Sequence, residues 1–410
     1  MAAGKDDREY NRDDRERNRL SARARRYAKV SANVGGVAAR AAGGRLRGRG
    51  GDRRANAVAL KQALGGLKGP VMKVAQLLAT IPEALPPEYA QELSQLQMNA
   101  PAMGWPFVKR RMRAELGPDW QQKFAEFGRS AAAAASLGQV HRARLADGAA
   151  LACKLQYPDM RSAVEADLVQ LKAIFALHRR IERTVDTREI EREIGTRLRE
   201  ELDYQREGRH MALYGAMLAD APDIHVPRWY RDLSTERLLC MEWLAGEPLM
   251  AFRDAPQETR NRIAQNLFTA WWRPFVRFGV IHGDPHPGNY TIAPGGGLNL
   301  LDYGCVRIFR PDFVAGVVDL YRALRDDDRA LAAAAYAGWG FEDLSDELVD
   351  ALNIWARFIY RPMLDDRVRS VADGIAPGEY GRAEAEQVRQ ALKRLGPVRP
   401  PREFVFMDRA

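Results

Sequence analysis

The stretch IHGDPHPGNY (Ile281–Tyr290), followed by LNLLDYG at 298–304, decides how this chain is read. Two histidines, an aspartate and an asparagine crowd into a turn stiffened by two prolines and two glycines. Asp284 and Asn289 lie five positions apart, and Asp302 follows Asn289 by thirteen, at the end of an apolar run. That order matches the phosphoryl-transfer template, in which one aspartate orients the nucleophile, an asparagine binds metal, and a second aspartate is the principal metal carboxylate. Asp284 is therefore the candidate catalytic group. Asn289 and Asp302 are candidate ligands for Mg²⁺, an ion that takes hard oxygen donors. His286 stands between Asp284 and Asn289, where a cation can reach the transferring phosphate. His282 reads as a core histidine bracing the loop through hydrogen bonds.

The other parts of the template lie upstream. Lys154 sits in ALACKLQ, a strand-like run, where a lysine among apolar neighbours requires an anionic partner. Glu165 is the partner an ordinary kinase reading considers. MEWLAG, after the strand RLLC, reads as a hinge: Met241 would flank an adenine and the Glu242–Leu244 backbone would bond its edge. Where a glycine-rich loop is expected the chain has SAAAAASLGQVHRA, and on its residues alone an alanine run reads as helix. No A-P-E motif follows Asp302, so there is no long activation segment to dock a peptide.

Around these motifs the pattern is mixed. LGQVHRARL and AALACKLQY read as strands joined by an Asp147-Gly148 turn. VPRWY and RLLCMEWL read as short strands, and TIAPGGGLNLLDYG as strand–turn–strand. Helical periodicity marks KGPVMKVAQLLATIP, PFVKRRMRAEL, the charged stretch to about residue 220, the tryptophan-rich IAQNLFTAWWRPFVRFG, and the remainder to about residue 395.

Hydrophobic residues make up 46% of the 410 and charged residues 29%, enough for a sizeable core, and the net charge of +9 suits an anionic partner. Residues 1–57 are dense in arginine and glycine with interspersed acids. They read as a flexible arm, with reversible contact to an anionic membrane as the functional alternative to a solvated tail. Cys153, Cys240 and Cys305 sit in apolar runs without C-x-x-C spacing, which implies reduced thiols and a cytoplasmic compartment. No secretory signal and no membrane-spanning run is read, so contact with the inner membrane would be peripheral.

The motif set resembles the UbiB family of atypical kinases, tied to ubiquinone biosynthesis, from about Leu60 to Phe309. Ala133-Ala134-Ala135-Ser136 resembles the family's alanine-rich nucleotide loop, and LPPEYAQELSQLQ (85–97) the segment after its N-terminal signature. Lys73-Val74-Ala75-Gln76 resembles its K-x-G-Q signature with alanine in place of glycine. Glu201-Leu202-Asp203 resembles its E-x-D motif, and Glu207 falls where the family's partner for the strand lysine lies. The resemblance implies that Glu207 pairs with Lys154, while Glu201 and Asp203 serve the helix carrying Lys73 and Gln76. The charged stretch is read with Glu201 and Glu207 on one helix, about 120° apart around it, so that they can serve different partners.

The expected fold is α+β and bilobal, protein-kinase-like, with a small N-lobe sheet and a mostly helical C-lobe. The expected divisions are an arm (1–57), a helical extension with the K-x-A-Q motif (58–120), an N-lobe with a helical insertion (121–245) and a C-lobe (246–410). The expected function is ATP- and Mg²⁺-dependent hydrolysis or phosphorylation of a small or lipid-like molecule, such as a quinone precursor. No nucleic acid is expected as a partner. The alternatives are a small-molecule phosphotransferase of the aminoglycoside or choline kinase type, and a nucleotide-gated scaffold of a biosynthetic complex.

Overall fold

The computed structural model describes residues 103–135, 137–181, 188–367 and 382–395. The expected arm, nearly all of the 58–120 extension with Lys73 and Gln76, and Ser136 lie outside them.

Asp147 and Gly148 make the turn around which the first lobe is built. The Asp147 carboxylate accepts the Ala149 N–H at 2.9 Å, and Gly148 adopts φ +88°, a left-handed backbone that glycine takes without steric cost. Two short strands precede this hairpin, β1 (Glu126–Phe127) and β2 (Ala133–Ala135). The hairpin joins β3 (Gly138–Arg144) to β4 (Ala150–Gln156) in unbroken antiparallel register, with Val140 opposite Lys154. β5 (Ile224–His225) belongs elsewhere, while β6 (Leu238–Glu242) closes this sheet in the order β1-β3-β4-β6, with β2 on β3. β4 is thus central, and its almost wholly buried run explains why ALACKLQ does not alternate apolar and polar residues. The alanine run is not helical: Ala133–Ala135 pair with Val140–Gly138, because backbone pairing to β3 outweighs alanine's helix propensity.

Helices α1 (Trp105–Leu116), α2 (Met160–Ile181), α3 (Arg188–Glu200) and α4 (Tyr204–Met217) belong to this lobe. α3 and α4 are separate. Asp203 accepts the Arg206 N–H at 3.0 Å and caps α4, so the chain turns between Glu200 and Tyr204. Glu201 and Glu207 therefore do not share a helix, and their separation comes from this turn rather than from the expected 120° around one axis. VPRWY is likewise not a strand; it contributes only an isolated bridge between Trp229 and Met241.

The second lobe opens with β7 (Glu247–Pro248) and α5 (Gln257–Phe278), which ends at Gly279 with φ +65°. β8 (Val280–His282), β9 (Tyr290–Ile292), β10 (Leu298–Leu300) and β11 (Val306–Ile308) form two small sheets, β5-β10-β9-β7 and β11-β8. α6 (Pro311–Asp326), α7 (Arg329–Gly338), α8 (Asp346–Leu364) and α9 (Arg382–Leu395) complete the described residues. Among the described residues, three apolar clusters form the core. One lies in the first lobe around Met112, Leu151 and Leu198. Another packs α6–α8 around Phe313 and Leu320. Between them, Tyr204, Met211, Tyr214, Leu239, Leu300 and Tyr303 join the two lobes. Each large apolar side chain buried there contributes about 1.5–3 kcal/mol. The Asp302-Tyr303-Gly304 turn is rooted in this joint, because Tyr303 is fully buried in it.

Candidate active site

Three charged side chains meet where the lobes join. Lys154 Nζ, projecting from β4, donates to both Glu207 carboxylate oxygens at 2.8 and 3.0 Å and to Asp302 Oδ2 at 3.0 Å. Glu207 lies on the first turn of α4, and Asp302 follows β10. Burial by itself disfavours the ammonium, but Asp302 and Glu207 outweigh it and hold Lys154 well above its ordinary range. For Glu207, burial raises the carboxyl to about 7 and Lys154 opposes that rise. Both of its oxygens accept from Nζ, so the geometry describes the ionised pair. Glu165, the alternative partner, instead forms a two-pronged pair with Arg199 at 2.7 and 2.9 Å.

The catalytic-loop motif is tied to this cluster through His282. Its Nε2 faces the Asp302 carbonyl at 2.6 Å, and its Nδ1 faces the Asp284 N–H at 3.3 Å. A carbonyl only accepts and an amide N–H only donates, so the ring carries its proton on Nε2. His282 is thus the expected bracing residue, joining Asp284 to Asp302. Asn289 Nδ2 donates to the Asp284 carbonyl at 3.0 Å, and the Leu301 N–H donates to the Asn289 carbonyl at 2.9 Å. These bonds set Asn289 beside the residue preceding Asp302. Asp302 Oδ1 accepts the Gly304 N–H at 3.0 Å. His286 is exposed, and its Nδ1 accepts the Gly288 N–H at 3.0 Å, which leaves Nε2 to carry the ring proton. To act as a cation it must release that bond.

Among the described residues, no three His, Cys, Asp or Glu side chains cluster as a metal cage. Asp302 and Asn289, tied through the Leu301–Asn289 backbone bond, would offer one carboxylate and one amide oxygen, a donor set that suits Mg²⁺ completed by phosphate and water. In the first lobe, Met241 is buried in β6. The Glu242 and Trp243 N–H groups already donate to the Arg228 and Ala150 carbonyls, each at 2.9 Å. The expected adenine-edge donor therefore narrows from Glu242–Leu244 to the Leu244 N–H. Glu201 reaches the same turn as Asp302: a Cβ on Gly304 would lie 3.9 Å from its Cγ. Asp203 is occupied as the α4 cap and by Arg209 at 3.6 Å.

Sequence reasoning missed two features. Tyr204 packs its ring 5.1 Å from Lys154 Nζ, and its only signal was an aromatic three residues before Glu207. A second buried cluster joins Glu193 of α3 to Arg197 at 2.7 Å and to Arg307 of β11 at 3.4 Å. The spacing of Glu193 and Arg197 was visible in the sequence, whereas Arg307 lies over a hundred positions away.

The family model of the ABC1 atypical kinase-like domain matches residues 95–335, more than half of the chain. The chain belongs to that family. This is the UbiB type of atypical kinase that its motifs resemble. The atypical kinase COQ8, mitochondrial, of Saccharomyces cerevisiae is 30% identical over 277 residues, covering 67% of this chain and 55% of the relative. AarF domain-containing protein kinase 1 of Xenopus tropicalis is 31% identical over 266 residues, covering 63% and 50%. The UbiB-family chain spans about half the length of these relatives. A solved complex of Rv3197 with erythromycin from Mycobacterium tuberculosis matches at a TM-score of 0.51 and 26% identity, covering 83% of this chain and 92% of that one.

Proposed function

We propose that the chain binds Mg–ATP and either hydrolyses it or passes its terminal phosphate to a small or lipid-like acceptor, in support of ubiquinone biosynthesis. The observation that carries this reading is the Lys154 ammonium bridging Glu207 and Asp302 across two lobes. Lys154 would neutralise phosphate charge while Glu207 holds it in position. Asp302 and Asn289 would hold Mg²⁺, which supplies charge neutralisation of the transferring phosphoryl group. Asp284 would orient the attacking hydroxyl or water, and His282 holds Asp284 in register with Asp302 so that little reorganisation accompanies charge movement. His286 would approach the transferring phosphate through Nε2–H. The Ala133–Ala135 strand and the adjoining Ser136 would cover the phosphates. Lys73 and Gln76 would act with Glu201 as a lid.

A small acceptor is favoured over a peptide by the short path after the metal turn. β11 begins two residues beyond Gly304 and α6 three residues beyond β11, leaving no extended segment on which a peptide could lie. No described helix is long and apolar enough to cross a membrane, and a lipid-like acceptor would be met through peripheral contact, with the arm of residues 1–57 as its basic surface.

Asp302→Asn should abolish the Mg²⁺-dependent thermal stabilisation given by ATP or ADP. Wild-type-like stabilisation in that variant would remove the metal assignment. With γ-labelled ATP, a labelled small molecule would identify a kinase, whereas free phosphate without a labelled acceptor would identify ATP turnover driving a rearrangement. Unchanged quinone in a deletion strain would count against the biosynthetic role.

A further inference from the structure

We infer that the Tyr204 hydroxyl is a phosphate-binding group of the nucleotide site, donating its O–H to a phosphate oxygen of the bound nucleotide. The inference rests on the Mg–ATP reading and adds to it a residue of this chain that neither the motifs nor the ion pairs supply.

Tyr204 opens α4 and is 1% exposed, yet its hydroxyl has no hydrogen-bond partner among the described residues. A buried donor left in that state is costly, so a partner that arrives later is the economical explanation. Its position says where that partner comes from. A Cβ built on Gly138 would sit 3.0 Å from the Tyr204 hydroxyl, which places the phenol against the start of β3, beside the turn leading from Ala133–Ala135. The register sets Gly138 opposite Gln156 and Val140 opposite Lys154. Side chains alternate across a strand, so Gly138 and Lys154 share one face of the sheet. The hydroxyl therefore lies beside Gly138, on the sheet face that carries Lys154, whose Nζ is 5.1 Å from the Tyr204 ring.

The state of Lys154 strengthens this placement. All three of its N–H bonds are directed at carboxylate oxygens, two at Glu207 and one at Asp302. An incoming phosphate finds no idle donor on the lysine until Asp302 turns to the metal. Tyr204 O–H is already buried beside it and uncommitted. Burial also keeps the phenol protonated, far above its usual range, so it remains a donor beside an anion. A hydrogen bond from a neutral hydroxyl to a phosphate oxygen is charge-assisted and stronger than one between neutral groups.

The test is Tyr204→Phe in the full chain, with calorimetric binding of Mg–ADP and of adenosine. Loss of one hydrogen bond to a charged group predicts Mg–ADP binding weaker by on the order of tenfold. Adenosine, which has no phosphate, should bind as it does to the wild type. The ligand-free thermal midpoint should hold or rise, because an unsatisfied buried hydroxyl has been removed. Unchanged Mg–ADP affinity would overturn the inference, as expected if a water between Tyr204 and Gln156 already serves the hydroxyl. Equal weakening of adenosine, or a lower ligand-free midpoint, would overturn it too, since the hydroxyl would then be bracing the fold. Unchanged binding in Tyr204→Phe beside lost binding in Asp302→Asn would sink this inference alone. No binding by the wild-type chain would sink the Mg–ATP reading, and this inference with it.

Discussion

Two buried charge clusters each take one residue from the stretch 302–307, Asp302 in one and Arg307 in the other, and they are built differently. In the first Lys154 meets Glu207 and Asp302; in the second Glu193 meets Arg197 and Arg307. Lysine is a compact point charge whose three donors can be redistributed, whereas the planar guanidinium of arginine fixes its partners in direction. The carboxylates differ in the same sense. Asp302 keeps 29% of its side-chain surface exposed, while Glu193 keeps none. The lysine cluster is therefore partly reachable from solvent, and the arginine cluster is closed. On the Mg–ATP reading proposed above, the first would exchange partners with metal and phosphate, while the second ties α3 to β11.

The largest effect that would test this contrast is expected at the lysine cluster. Lys154→Ala should strand the buried Glu207 carboxylate, costing about 3–5 kcal/mol of stability, and Glu207→Ala should leave Lys154 with Asp302 as its remaining carboxylate partner; each should lose most of the ATP turnover. The double variant should lose less than the two singles together, because the same interaction is removed only once. Zero coupling in that cycle would take Glu207 out of its assigned role.

A smaller effect is expected at Glu193→Gln. The substitution keeps the volume and an acceptor while removing the charge between two arginines, at a cost of about 1.5–3 kcal/mol. The urea midpoint should fall while Mg–ADP affinity stays near wild type. An affinity loss as large as that of Glu207→Ala would show that the two clusters work as one, and the division drawn between them would fail.

The smallest effect is expected at His286, outside both clusters. His286→Ala should lower turnover by roughly tenfold, the value of one hydrogen bond to a charged group, with little change in thermal midpoint. A loss beyond a hundredfold would require the imidazole to act as a full cation, and no loss would leave it only as the acceptor for Gly288 N–H.

The residues of the catalytic motif could be read from sequence because their relations are local. The Asp284–Asn289 contact closes within five residues, and Asp147-Gly148 forces its hairpin through one left-handed backbone position. His282 could be read as a brace because a histidine two residues before an aspartate can reach that residue's N–H. Partner choice was less legible. Glu165 and Glu207 were both open on residues alone, and the motif resemblance favoured Glu207 before any geometry did. The helix boundary between Glu201 and Glu207 was misread because an uninterrupted charged pattern conceals Asp203 acting as a cap. Alanine propensity pointed to helix at 133–135, where pairing to β3 prevails.

What the chain's order established, then, is which chemistry is present: a strand lysine, a braced Asp–Asn turn and a second aspartate, each placed by short-range backbone geometry. Apart from Glu207, which the motif resemblance already favoured for Lys154, the long-range partners came from the folded structure. It sent Glu165 to Arg199, joined Glu193 to Arg307 across 114 positions (307 − 193), and set the Tyr204 hydroxyl against Gly138. The physical reason is that a charge or a hydroxyl acquires its partner from whatever packing brings alongside it, and sequence spacing does not encode which distant segment that will be.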